Sequence, residues 1–296
     1  MERRTFLALA SAAATPAAST QYQKGICGVI FPAAMPLAEQ FRQTRAAGFE
    51  GIEIRLGGEL SHDTAPDAAR RIGEAARKEG VTIVSLWVSD ALSASPLNHP
   101  EAGVREKGVQ VIRQAIDVAA LTGCGALLIV PGRLGSGAKF QYSYQDTWNR
   151  VTGELKKVIS RAAKAKVVLT PENVWNKFLV SPLEMRAFVD HFKSPWLQTH
   201  FDTGNVMQFG YPQDWILTLG QRIKRVHVKD YKLSARAEQG RFVDLLEGDV
   251  DWKDVMASLN RVGYRGFLSP EIGHRAGDPD QLKKVSQALD KILALA

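Results

Sequence analysis

Residues 167–202 read VVLTPENVWNKFLVSPLEMRAFVDHFKSPWLQTHFD, and the order of elements in this stretch decides the fold. The run 167–172 is short, apolar and β-branched, bounded by charge and Pro, as a buried strand requires. A helix-like stretch follows at 181–192, then a second strand-like run at 197–202. The crossover is long enough to bring the two strands parallel, so the stretch is one βαβ unit. Working outward, the same alternation fills the chain. Strand-like runs fall at 26–31, 51–55, 82–87, 126–130, 167–172, 197–202, 223–228 and 266–271. Helix-like stretches lie at 36–47, 66–79, 101–121, 143–164, 181–192, 212–219, 251–262 and 278–295. Their apolar residues recur at helical spacing, as with Val109, Ile112, Ile116 and Ala119. Gly48, Gly80, Gly123 and Gly263 stand just before strands, where left-handed caps are expected. Eight strands alternating with eight helices predict an α/β fold, a closed (β/α)8 TIM barrel. An open doubly wound sheet is disfavoured because no GxGxxG turn follows the first strand.

Length and composition agree with that count. The chain has 296 residues, and ~250 is typical of one such barrel. A hydrophobic fraction of 45% supports a sizeable core and excludes wholesale disorder. No run approaches the ~20 apolar residues of a membrane span. Two cysteines, Cys27 and Cys124, cannot make a disulfide framework or an all-cysteine zinc site, and buried free thiols are expected. Segment 1–20 opens with Arg3-Arg4 and Phe6-Leu7, then runs through small residues, mostly Ala. It resembles a twin-arginine export signal, with Glu2 in place of the usual Ser or Thr and cleavage expected between Ala14 and Thr20. Residues 21–296 would then form the mature barrel, in the periplasm. If the segment is instead a tail, the protein is cytoplasmic. Removal of the segment lowers the formal charge from +7 to +6. Arg70-Arg71 and Lys156-Lys157 belong to helices expected on the outside, so the excess reads as a solvated surface. No basic stretch interleaved with aromatics points to a nucleic-acid partner.

A barrel carries its chemistry at the C-terminal ends of its strands. At or beside the ends of the last four runs stand Glu172 in Thr-Pro-Glu-Asn, Asp202 in His-Phe-Asp-Thr-Gly-Asn, His227 in Val-His-Val-Lys-Asp, and Glu271 in Ser-Pro-Glu-Ile-Gly. Three carboxylates cannot share one point unless protons or a cation offset their repulsion. One imidazole and three carboxylates suit one divalent ion, Mn2+, Mg2+ or Co2+ before Zn2+.

The eight-fold alternation, Pro-Glu-Asn, Phe-Asp-Thr-Gly-Asn, Val-His-Val-Lys-Asp, and Glu247-Gly-Asp-Val-Asp-Trp252 followed by Gly263-Tyr-Arg-Gly-Phe267 together resemble the xylose-isomerase-like superfamily. That group includes sugar isomerases, ketose 3-epimerases, inosose dehydratases and endonuclease IV. The resemblance covers residues 25–296 and implies that Glu172, Asp202, His227 and Glu271 ligate the metal. Similarity to the ketose 3-epimerases further implies that Glu172 and Glu271 are the catalytic acid/base pair. The chain departs from those epimerases at three positions. Asn205 stands where a His is usual, Phe178 where an acid is usual, and Leu233 where an Arg is usual, with Lys232 and Arg236 nearby. Endonuclease IV needs more zinc-binding histidines than are present. Asn205 replaces one, and Gly240-Arg-Phe242 lacks the motif that supplies two others.

Further candidates are single residues. Strand alternation aims Lys229 to the same side as His227, as a substrate contact, a proton relay or a plain salt bridge. Asp230 follows it as a second candidate contact. Trp87 ends the third strand and offers a face for sugar stacking or a packing surface. Glu53 is a candidate substrate contact or half of a barrel-internal ion pair. Asn205 is a candidate partner for a substrate hydroxyl. His200 shares the parity of Asp202 and is expected one layer below it as a satisfied core histidine. Pro131-Gly-Arg-Leu-Gly-Ser-Gly137 is not a phosphate loop, since Ala138 replaces the required Lys, but Arg133 remains a possible contact. The long charged segment 232–249 is a candidate lid.

The expected function is a divalent-metal-dependent sugar isomerase or epimerase. It works through a metal-stabilised enediolate on an unphosphorylated carbohydrate. The alternative is a metal-dependent lyase or dehydratase on a keto-sugar, keto-glycoside or inosose, because leaving-group expulsion starts from the same enediolate. An endonuclease-IV-like phosphodiesterase and a non-catalytic sugar-binding barrel are the more distant readings. A homo-oligomer is compatible with all of them.

Overall fold

The computed structural model describes residues 21–235 and 240–296, so the expected export segment 1–20 and Arg236 lie outside the described residues. The strands are β1 (Tyr22–Cys27), β2 (Gly51–Arg55), β3 (Thr82–Trp87), β4 (Ala126–Ile129), β5 (Gly135–Ser136), β6 (Lys139–Phe140), β7 (Val168–Pro171), β8 (Thr199–Asp202), β9 (Ile223–Val228), β10 (Asp230–Lys232), β11 (Arg241–Val243) and β12 (Gly266–Pro270). The helices are α1 (Leu37–Ala46), α2 (Pro66–Lys78), α3 (Ser89–Ala94), α4 (Ala102–Thr122), α5 (Tyr144–Ala165), α6 (Pro182–His191), α7 (Pro212–Leu219), α8 (Trp252–Arg261) and α9 (Gln281–Leu293). Eight strands make the inner wall in the order β7-β4-β3-β2-β1-β12-β9-β8, all parallel to their neighbours. The seam between β8 and β7 is closed by the parallel bridges Leu169–Leu197 and Glu172–His200. Across it Leu169 N donates to Trp196 O at 2.9 Å and Gln198 N to Leu169 O at 3.0 Å. The wall is therefore a (β/α)8 barrel, and the stretch 167–202 supplies both sides of its seam.

Local chemistry accounts for the helices between the strands. Ser143 caps α5 by accepting from Asp146 N at 3.1 Å. Ser181 and Glu184 form a reciprocal capping box at α6, with Pro182 in its first turn. Asp251 caps α8 through Asp254 N at 3.0 Å. The four glycines expected as caps, Gly48, Gly80, Gly123 and Gly263, all have positive φ. On α4 the residues Val109, Ile112, Ile116 and Ala119 are fully buried against the wall. Outer-helix cations are paired, Arg70 with Asp67 and Lys157 with Glu154 and Glu106. No helix among the described residues is long and apolar enough to cross a membrane.

The first strand departs from expectation. The apolar run 26–31 predicts a strand there, but β1 is Tyr22–Cys27 and residues Gly28–Ile30 form a 3-10 turn. Tyr22–Lys24 pair with Gly266–Leu268, and Gly25–Cys27 with Gly51–Glu53, so pairing with β12 ends at Lys24 and pairing with β2 at Cys27. A short apolar run does not distinguish a strand from the buried turn that follows it; the ladder decides.

Candidate metal centre

The strand ends bring Glu172, Asp202, His227 and Glu271 together. One potential ligand atom from each lies within 4.8 Å of all the others. Register explains this: Asp202 pairs with His227 and His227 with Ser269, so adjacent strands deliver their ends at one level. His227 Nδ1 faces the cluster, 3.0 Å from Glu172 Oε1, 3.5 Å from Glu271 Oε2 and 3.9 Å from Asp202 Oδ2. All four are buried or nearly so.

Burial sets the electrostatics. Removal from water pushes the Glu172 carboxyl up to about 7, against the pull of His227. Burial likewise raises Asp202, with Lys229 opposing. Glu271 goes the other way: burial resists, but the positive charges of His227 and Lys229 hold it below the usual carboxylate range. His227 is held well above the usual imidazole range, because the Glu53 and Glu271 carboxylates outweigh its burial. Lys229 is held above its ordinary value for the same reason, with Asp202 and Glu271 the main partners. Three carboxylates and one lysine leave a deficit of two positive charges when the imidazole is neutral, which is what a divalent ion supplies. Asp202 Oδ2 and Glu271 Oε2 are buried and, among the described residues, accept no well-aligned hydrogen bond. The donor set, one nitrogen and three carboxylates, fits a hard or borderline divalent metal.

The other expected site residues take different places. Lys229 reaches the cluster: its Nζ is 3.1 Å from Asp202 Oδ2 and also contacts Glu271 Oε2. Gly204 permits this, because a Cβ there would lie 2.9 Å from both the Lys229 Cβ and its carbonyl oxygen. Asn205 is buried and orients Asp202 by donating its backbone N–H to Asp202 Oδ1 at 2.7 Å. Its side-chain amide donates to Asn173 O at 2.9 Å, so it supports the ligand loop. Phe178, at the position where an acid is usual, is buried against Tyr144 and Phe188.

Asp230 corrects the expectation of a substrate contact. Its carboxylate accepts from the backbone N–H groups of Tyr231, Leu246, Gly248 and Val250 and from Trp252 Nε1, at 2.9 to 3.3 Å. Gly248 is required there, because any Cβ would collide with that carboxylate. Asp230 thus ties the loop at 244–252 to the barrel. Of the two readings of Glu53 the structure shows the barrel-internal pair in place of a substrate contact: it is buried behind His227, with Oε2 3.2 Å from His227 Nε2 and 3.6 Å from His200 Nε2. His200 lies beside His227, ring centroids 4.1 Å apart, but among the described residues neither of its ring nitrogens has a hydrogen-bond partner, so it is not a satisfied core histidine. Trp87 ends β3 on the other half of the wall, beneath the Arg55 guanidinium.

Sequence reading missed Asn173, whose side chain brackets Asp202 through two 2.9 Å bonds to the Asp202 backbone. The signal was present in Pro-Glu-Asn, directly after the ligand. It also missed an aromatic group at the rim. Trp175, Phe209 and Phe242 are 46%, 57% and 42% exposed yet touch one another around Trp175. Phe242 lies 4.8 Å from Lys229 Nζ, which joins this group to the cluster.

Comparisons with known proteins agree with this fold. Residues 41–292 match the family model described as xylose isomerase-like TIM barrel. L-ribulose-5-phosphate 3-epimerase UlaE of Escherichia coli O1:K1 is 26% identical over 282 residues, covering 93% of this chain and 95% of that protein. The crystal structure of D-psicose 3-epimerase in the presence of D-fructose superposes with a TM-score of 0.77 at 14% identity, over 91% of this chain and 97% of that one. The structure of L-ribulose 3-epimerase gives 0.71 at 21% identity, over 93% of this chain and 90% of the other. The chain belongs to the xylose isomerase-like TIM barrel family.

Proposed function

We propose that the protein is a divalent-metal-dependent sugar epimerase, an isomerase by reaction class, acting on an unphosphorylated ketose. The convergence of Glu172, Asp202, His227 and Glu271 at one level of the barrel mouth carries this reading. The similarity to ribulose-phosphate, ribulose and psicose 3-epimerases supports it. Mn2+, Mg2+ or Co2+ suits the oxygen-rich donor set better than Zn2+. When bound, the ion polarises a substrate carbonyl and the neighbouring hydroxyl, which acidifies the C–H between them. Glu172 and Glu271 are the groups placed to move that proton. They directly follow β7 and β12, with β8 and β9 between them, and so approach from different sides of the mouth. Removal by one carboxylate and return by the other inverts the carbon. Lys229 holds Glu271 and Asp202 in place and adds a side-chain cation beside the proposed metal to face developing negative charge. The rim aromatics offer faces for the apolar side of a sugar ring.

Two considerations support an unphosphorylated substrate. Three cations near the mouth are already paired, Arg55 with Asp90, Lys232 with Asp249 and Arg275 with Asp244. The arginine pair in segment 1–20 favours export to the periplasm, where free sugars are the available substrates. Metal-loaded protein incubated with free ketoses in D2O is expected to incorporate deuterium beside the carbonyl and to form the epimer. A panel of ketoses showing no exchange overturns the proposal. An unsaturated keto product seen by absorbance would assign the site to elimination instead.

A further inference from the structure

We infer that Glu53 is a positioning residue for the metal, acting through His227 to fix its tautomer and strengthen its hold on the ion. The inference rests on the metal reading above and goes beyond it by assigning a role to a residue on the opposite half of the barrel.

The His227 ring is bracketed. Its Nδ1 faces the three carboxylates of the cluster, while Nε2 lies 3.2 Å from Glu53 Oε2. A ligating Nδ1 must offer a lone pair, so the ring proton must sit on Nε2. A carboxylate at Nε2 demands that proton and fixes the ring plane, and it also makes Nδ1 a more basic donor. Glu53 is itself held. It is 1% exposed, Ser85 Oγ donates to the same Oε2, and Cys27 is its partner in the neighbouring strand β1. His200 packs beside the His227 ring and leaves it little room to turn. This arrangement is the carboxylate–histidine–metal relay, built here across the barrel interior from β2 to β9.

A competing use of the same residues exists. Glu53, His200 and His227 also offer three ligand atoms within 4.8 Å of one another, beneath the main cluster. An ion there would take the His227 Nε2 lone pair while Nδ1 serves the main site, so one imidazole would have to give up both protons. The relay needs no such step and is the arrangement the distances favour.

The test is metal binding by the full chain, measured by chelator competition and elemental analysis. Wild type is expected to hold one divalent ion per chain. Glu53→Gln is expected to bind it roughly 10–100-fold more weakly, with most of the turnover recovered at saturating metal. Ser85→Ala, a milder change at the same carboxylate, should weaken binding by a smaller factor. It keeps the proposal open to refutation if Glu53→Gln does not fold. In the metal-loaded wild type the His227 Nε2–H resonance should lie far downfield and should move upfield in Glu53→Gln. Folded Glu53→Gln with wild-type affinity overturns the inference and leaves the metal site standing, as would affinity unchanged in Ser85→Ala where Glu53→Gln is unfolded. Two ions per chain overturns it in favour of the second site. A wild type that binds no divalent ion removes both this inference and the proposed function.

Discussion

The two halves of the barrel wall end in different chemistry. Strands β7, β8, β9 and β12 finish in or beside Glu172, Asp202, His227 and Glu271, whereas β1 to β4 finish in Cys27, Arg55, Trp87 and Ile129. Over the first half lies a cavity of about 720 Å3, lined among others by Phe31, Pro36, Ile54, Arg55, Leu60 and His274. The second half concentrates charge in a small buried volume and rims it with aromatics. Under the proposed function the contrast divides the labour: the second half would bind and react, and the first half would shape space and support. Glu53 crosses that line, but it reaches the reactive half only through His227.

The sharpest way to break the division is to disarm the second half. Glu172→Gln and Glu271→Gln should each lower ketose epimerisation by about 10²–10⁴-fold, the usual contribution of a positioned acid or base. Deuterium exchange in D2O separates the two roles, because loss of the returning acid can leave proton removal measurable. Survival of both metal content and activity in either variant would move the reaction elsewhere in the mouth.

The next effect concerns stability. Lys229 and Asp230 are neighbours with opposite destinations, Lys229 in the metal cluster and Asp230 under the loop at 244–252. Asp230→Asn replaces one oxygen of a buried, five-donor carboxylate by an amide that donates. It should cost about 3 kcal/mol in denaturant unfolding, since hydrogen bonds to a charged group are the strong ones. A loss below ~1 kcal/mol would mean that the loop is held by other contacts and that Asp230 is free for substrate.

That pair also shows what sequence can and cannot convey. The barrel was legible because alternation and capping are local, and the convergence of Glu172, Asp202, His227 and Glu271 because strand-end position selects them. Alternation likewise aimed Lys229 at the mouth. The fate of Asp230 was not legible, because four of its five donors come from 16 to 22 residues downstream in a loop without periodic pattern. Glu53 and His200 posed the same difficulty. Their parity marks them as interior, but their partners are set by packing across the barrel between residues 174 and 147 positions apart for Glu53. Asn173 is different, since it stood next to a ligand in a quoted motif and only its task was hidden. The β1 boundary was misplaced because an apolar run was read without the ladder that ends it.

A smaller effect probes the aromatic rim. Trp175 donates through Nε1 to Asn205 O at 2.8 Å and stacks on Phe242, so it links the ligand loop to the hairpin β10–β11. Trp175→Phe keeps a ring but loses that bond. Trp175→Ala loses the ring and should raise KM for a ketose roughly fivefold, about 1 kcal/mol, with kcat less affected. A fall in kcat with KM unchanged would make Trp175 a support for Asp202 and Asn205, not a sugar platform.

The smallest expected effect tests the first half directly. Arg55 lines the large cavity, is paired with Asp90 and lies over Trp87, with both members of the ion pair more than half exposed. An exposed pair of this kind contributes about 0–1 kcal/mol, so Arg55→Ala should leave stability nearly unchanged. With a free ketose, KM should also change little, because the sugar is held by the second half. The informative comparison is with the corresponding ketose phosphate, since Arg55 is a cation on the cavity wall that a phosphate could recruit from Asp90. If wild type prefers the phosphate and Arg55→Ala abolishes that preference while sparing the free sugar, the first half is a phosphate subsite and the unphosphorylated substrate is overturned. If both substrates respond alike, the cavity supplies shape alone, and the division between the reacting half and the supporting half holds at its rim.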